Sequence, residues 1–177
     1  MHKLIVLTVV GWMALMSLSA ASASSERTVR VVGGDDFKPN TKITSNLRFS
    51  PGPLSVRSGD TITWVDADDE PDEPHTITIV EQSALPTSFA TIDACYAPAA
   101  PCSTALMGHF PLAEQTPPDQ VVQVLDPDHD GGLSTPGDSL VLFPNGSVSA
   151  NVTAPAGTTL SYLCAIHPWM QGTINVR

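Results

Sequence analysis

Ser161-Tyr162-Leu163-Cys164-Ala165-Ile166-His167-Pro168-Trp169-Met170-Gln171-Gly172 sets a thiol, an imidazole and a thioether at Cys-x2-His-x2-Met spacing. Alternating apolar residues on either side predict strands, Thr158 to Leu163 before it and Thr173 to Arg177 after it. The three donors therefore fall on one tight loop between two strands, and a loop that short can aim them at a single point. Soft thiolate and thioether ligands select copper, and two imidazoles with one thiolate and a weak axial Met form an electron-transfer copper site. The loop supplies one His, so a second has to come from elsewhere in the chain. Two other readings stand beside this one. Cys164 and Met170 could be buried core filler, or Cys164 and His167 could be half of a zinc site, which would need further ligands at similar spacing.

The segment Tyr162 to Gly172 resembles the C-terminal ligand loop of the cupredoxins, amicyanin and pseudoazurin in particular. Upstream, Phe49 to Val65 is similar to the central strand pair of that family, and Pro74-His75-Thr76-Ile77 to its first copper-ligand segment. The resemblance covers 37–80 and 140–177 and is absent from 81 to about 139. It implies an all-β fold, a Greek-key β-sandwich, with a long loop insertion. It implies a copper set of His75, Cys164, His167 and Met170, with the Thr76 N–H donating to the Cys164 sulfur. It also implies a redox partner protein, a cytochrome or copper enzyme, docking near an exposed edge of His167 beside Pro168 and Trp169. The expected function is an exported one-electron carrier rather than an enzyme. The alternative is a periplasmic copper-handling protein, a chaperone or store, against which the absence of a repeated Met/His cluster counts.

Composition bounds the rest. The apolar run Leu4 to Leu18, followed by Ala21-Ser22-Ala23, predicts a secretory signal peptide over 1–23. The run is too short to span a bilayer. One domain is expected over 24–177, with the insertion at 81–139, in a periplasmic or extracellular setting. In an oxidising compartment Cys95 and Cys102 read as a local disulfide; a second copper site with Met107 and His109 is the alternative. The chain has 8 basic and 18 acidic residues, a formal charge of −10. No Lys or Arg occurs between Arg57 and Arg177, which excludes nucleic acid as a natural partner and favours a cationic one.

Other stretches read in order. Glu26 to Val32 alternates as an opening strand, and Leu54, Val56, Ile62 and Trp64 predict a strand, a tight turn at Ser58-Gly59-Asp60 and a second strand. Six acids lie between Asp66 and Glu73, as a solvated loop or as a negative rim beside His75. The insertion is expected to be a covering loop, with one helical turn near Thr87 to Ala94 and one strand at Val121 to Leu125. Within it, Asp126-Pro127-Asp128-His129-Asp130-Gly131 opens like a calcium loop, with Asp126, Asp128 and Asp130 as hard oxygen donors. The EF-hand pattern then requires Glu where Gly137 stands, Asp138 coming one place late, so calcium and an unmetallated acidic turn both remain open.

Overall fold

The computed structural model describes residues 26–177; the expected signal peptide over 1–23 lies outside the described residues. In chain order the strands are β1 (Glu26–Val32), β2 (Asp35–Lys38), β3 (Lys42–Ser45), β4 (Arg48–Ser50), β5 (Pro53–Val56), β6 (Thr61–Asp66) and β7 (His75–Val80). Two helices follow, α1 (Phe89–Cys95) and α2 (Pro101–His109), then β8 (Val124–Leu125), β9 (Ser139–Leu142), β10 (Ser147–Asn151), β11 (Thr159–Leu163) and β12 (Gln171–Val176). One sheet has the order β10-β6-β1-β4 and the other β5-β12-β11-β7-β9-β8, while β2 and β3 form a separate exposed hairpin. The crossed connections and the two facing sheets give the Greek-key-type sandwich that the resemblance implied.

Period-two alternation builds the space between the sheets. Val29 and Val31 of β1 and Ile62 and Trp64 of β6 point inward from one sheet, and Ile77, Tyr162 and Ile174 from the other. Each large apolar side chain so buried contributes about 1.5–3 kcal/mol relative to exposure. The Tyr162 ring sits 5.0 Å from Phe49 and 6.1 Å from Trp64, tying the sheets together at their centre. Gly172 is its cross-strand partner. A Cβ there would lie 2.2 Å from the Tyr162 ring, so only glycine leaves room for the ring.

Two expectations need correction. The turn at Ser58-Gly59-Asp60 does not close a hairpin: β5 pairs in parallel with β12, whereas β6 pairs with β1 and β10 in the opposite sheet. The chain changes sheets there, and Gly59 supplies the positive φ of 88° that the corner needs. The insertion is also more ordered than a covering loop. The helix expected near Thr87 to Ala94 is α1, capped by Ser88 and Thr91, but α2 was not expected at all. Cys95 and Cys102 form a disulfide, and with Ala105 they pack against Val80, Leu163 and Ala165 beside the ligand loop.

Candidate metal centre

His75 opens β7 and Cys164 follows β11, and these strands are antiparallel neighbours. That pairing brings together residues 89 positions apart. The ligand loop then closes on itself: the Cys164 N–H donates to the Met170 carbonyl at 3.0 Å and the Met170 N–H to the His167 carbonyl at 2.8 Å. Pro168 has no N–H to offer and stiffens the loop.

The donors converge. His75 Nδ1 and His167 Nδ1 are 3.3 Å apart, and each lies 3.9 Å from Cys164 Sγ. A point equidistant from the three atoms lies about 2.2 Å from each, the length of a transition-metal bond to nitrogen or sulfur. The atoms are shielded from solvent, and Met170, also fully buried, belongs to the core around Cys164. This donor set fits copper.

The other ring nitrogens are held. His75 Nε2–H donates to Asp68 Oδ2 at 2.6 Å, which leaves Nδ1 as the free donor. The Asp68 side chain is only 1% exposed, so the acidic run at 66–73 is not simply solvated. His167 Nε2 lies 3.2 Å from Glu73 Oε2, a close approach without hydrogen-bond alignment. The Thr76 N–H donates to Cys164 Sγ at 3.3 Å, as the resemblance implied. Burial acts to raise the Cys164 pKa, but hydrogen bonds and charge from His167 and His75 outweigh it and bring the thiol down to about 6. A thiolate at neutral pH is what a soft metal requires. Burial acts to lower the His75 pKa, but Cys164 and Asp68 prevail and it lies above its ordinary value.

The insertion braces the loop. Tyr96 Oη–H donates to the Ile166 carbonyl at 2.8 Å, and Gln171 Nε2 donates to the Pro86 carbonyl at 2.8 Å. A buried chain of hydroxyls runs further. The Ala165 N–H donates to Thr76 Oγ1 at 2.7 Å, which leads to Thr78 Oγ1 at 2.9 Å, Ser139 Oγ at 2.7 Å and His109 Nε2 at 2.7 Å. His109 Nδ1–H donates to the Val122 carbonyl, so Nε2 is the acceptor and the chain has one direction. His109 is thus a structural anchor. The alternative copper pair of Met107 and His109 is excluded, because Met107 is 75% exposed and His109 is buried on the inner side of α2.

The far edge of His167 is less open than the resemblance implied. Its side chain is 11% exposed, covered by Glu73 and by the Trp169 ring at 5.2 Å. Trp169 itself is 41% exposed and does not pack under the loop. Sequence reading did not single out Asp68 or Glu73 within the acidic run, missed Tyr96, and gave His109 only as a metal ligand rather than as an anchor. Nothing separates Asp68 and Glu73 from the other acids of their run, whereas the His109 spacing from Cys102 and Ala105 marks one face of a helix.

No protein-family model and no curated protein matches the chain. Solved structures do. They include a purple cupredoxin from Nitrosopumilus maritimus, 16% identical, covering 85% of this chain and 99% of its own, at TM-score 0.43. A dithionite-reduced auracyanin from Roseiflexus castenholzii is 19% identical, with coverage of 88% and 98% and TM-score 0.48. Auracyanin A, a blue copper protein from Chloroflexus aurantiacus, is 20% identical, with coverage of 86% and 100% and TM-score 0.42. These neighbours are cupredoxins. The cupredoxin-like ligand loop read from the sequence is the loop that closes this site. Among the described residues, no helix is long and apolar enough to cross a membrane.

Proposed function

We propose that the chain would hold one copper ion through His75, Cys164 and His167, with Met170 as a further ligand, and carries single electrons between partner proteins in an exported compartment. The observation that supports this most is the convergence of two imidazole Nδ1 atoms and one Sγ, shielded from solvent, on a point at metal-bond distance from all three. Bound copper would supply a one-electron couple, tuned by the axial group and by hydrogen bonding around the sulfur. The chain's own residues do the rest. Thr76 holds the sulfur, Asp68 fixes the His75 tautomer, and the hydroxyl chain and Tyr96 keep the loop from rearranging when charge changes. Burial of the donors disfavours a copper chaperone or store, which would have to release its metal readily.

The partner reads as cationic and docks where Trp169 and the carboxylate of Glu73 cover His167. Copper-loaded protein mixed with a basic cytochrome should exchange electrons at a rate that falls steeply as ionic strength rises from 10 to 200 mM, because screening removes the steering field. A copper protein that cycles but exchanges with no cytochrome or copper enzyme of either charge would contradict the carrier role.

A further inference from the structure

The loop between β8 and β9 gathers carboxylates that are separate from the candidate copper donors. Leu125 and Ser139 are register partners at the ends of those strands. Asp126 and Asp138 therefore stand one step beyond, at the neck of the loop, and Asp128 and Asp130 lie within it. Ligand oxygens of Asp126, Asp128 and Asp130 all lie within 4.8 Å of one another.

Acidic clusters of that kind are common on surfaces, and what distinguishes this one is buried and unmatched. Asp138 is fully buried, and its Oδ2 accepts the N–H groups of Ser134 and Thr135 at 2.8 and 2.9 Å. Its Oδ1 is buried with no partner, and so is Asp126 Oδ1. The hydroxyls of the same Ser134 and Thr135 hold Asp128 Oδ2 at 3.0 and 3.3 Å, which sets the Asp128 and Asp138 carboxylates side by side. The loop itself carries no Lys or Arg. A buried carboxylate oxygen that accepts no hydrogen bond is costly to keep.

We infer that Asp126, Asp128, Asp130 and Asp138 bind a calcium ion that clamps the β8–β9 loop. Calcium takes six to eight oxygens in irregular geometry, which suits side chains drawn from an irregular loop, whereas magnesium demands a near-ideal octahedron. The EF-hand spacing fails because its last ligand falls on Gly137; here the strand pairing, not a flanking helix, delivers the closing carboxylate from Asp138.

Isothermal titration of CaCl2 into the full chain, purified in chelator, tests this. One saturable equivalent is expected, with a Kd on the order of 10⁻⁴ to 10⁻³ M as in other extracellular modules, together with a higher Tm in calcium. Asp138→Asn and, separately, the exposed Asp128→Asn should each weaken calcium binding about tenfold or more by removing a ligand charge. Asp128→Asn should also keep the calcium-free Tm and circular dichroism of the parent, which separates lost binding from lost folding. Absence of saturable calcium binding by the parent chain would overturn the site. So would an Asp128→Asn variant that binds calcium as tightly as the parent, and equal affinity for MgCl2 would overturn the assignment to calcium. The visible absorption of added copper is independent of these outcomes.

Discussion

At the scale of single residues, the site is set by which atom of each side chain is already spoken for. Asp68 accepts the Nε2–H of His75, so that imidazole can present only Nδ1 to the cavity. Asp68 also places a buried negative charge one ring away from the proposed metal position. Such a charge favours the higher oxidation state, and a carboxylate partner raises the basicity of the ligand. Asp68→Asn keeps an acceptor for Nε2–H and removes the charge. Voltammetry of the copper-loaded variant should show a more positive potential, and competition with a chelator should show copper(II) affinity lower by about 10–100-fold. An unchanged potential would mean that the Asp68 charge does not reach the metal. Cys164, His167 and Met170 were legible because their geometry is local, seven positions of one loop. Asp68 was hidden among six acids in eight positions, and only the path of the backbone decides which of them turns inward.

At the scale of elements, strand pairing and the insertion hold the ligand loop in place. β7 against β11 delivers His75 to Cys164, and this follows from the alternation of both strands once they are recognised as core strands. The route of β5 into β6 was misread, because Ser58-Gly59-Asp60 has the composition of a hairpin turn. Composition does not say whether two strands pair with each other or with strands far along the chain. α2 was missed because its inner face is Cys102, Ala105 and His109, small or polar residues with little apolar contrast. His109 nevertheless ends the hydroxyl chain that begins at the Ala165 N–H. Burial lowers its pKa from the ordinary 6.5, the bond to the Val122 carbonyl opposing this only in part. The unfolded chain therefore takes a proton at His109 near pH 6.5 that the folded chain refuses, and stability is lost as the pH falls below that value. His109→Gln should be less stable than the parent at pH 7.5, by about 1–3 kcal/mol for disturbed buried hydrogen bonds. The gap should narrow toward pH 5, by at most about 1.4 kcal/mol per pH unit. Denaturant titrations at the two pH values check this, and a gap independent of pH would show that His109 is not held neutral.

At the scale of the whole molecule, the β-sandwich is a frame that fixes three donors before a metal arrives. The layer of Phe49, Trp64 and Tyr162 locks the two sheets together, and Gly172 leaves the space for Tyr162 one strand from Cys164. The disulfide and the two helices add a brace on the outer side of the ligand loop, a part of the fold that the sequence resemblance did not cover. The sandwich was legible because alternation and turns recur along most of the chain, and the helical brace was not, because its contacts with Leu163 and Ala165 are made at a distance in sequence. The central claim is that Cys164, His75 and His167 hold one copper ion with the sulfur bonded directly to it. The most direct measurement is the visible absorption spectrum of the copper(II)-loaded protein beside that of Cys164→Ala. An intense sulfur-to-copper charge-transfer band is expected in the parent, lost on reduction, restored on reoxidation and missing from Cys164→Ala. A parent that binds copper without that band, or a Cys164→Ala variant that retains it, would contradict the account.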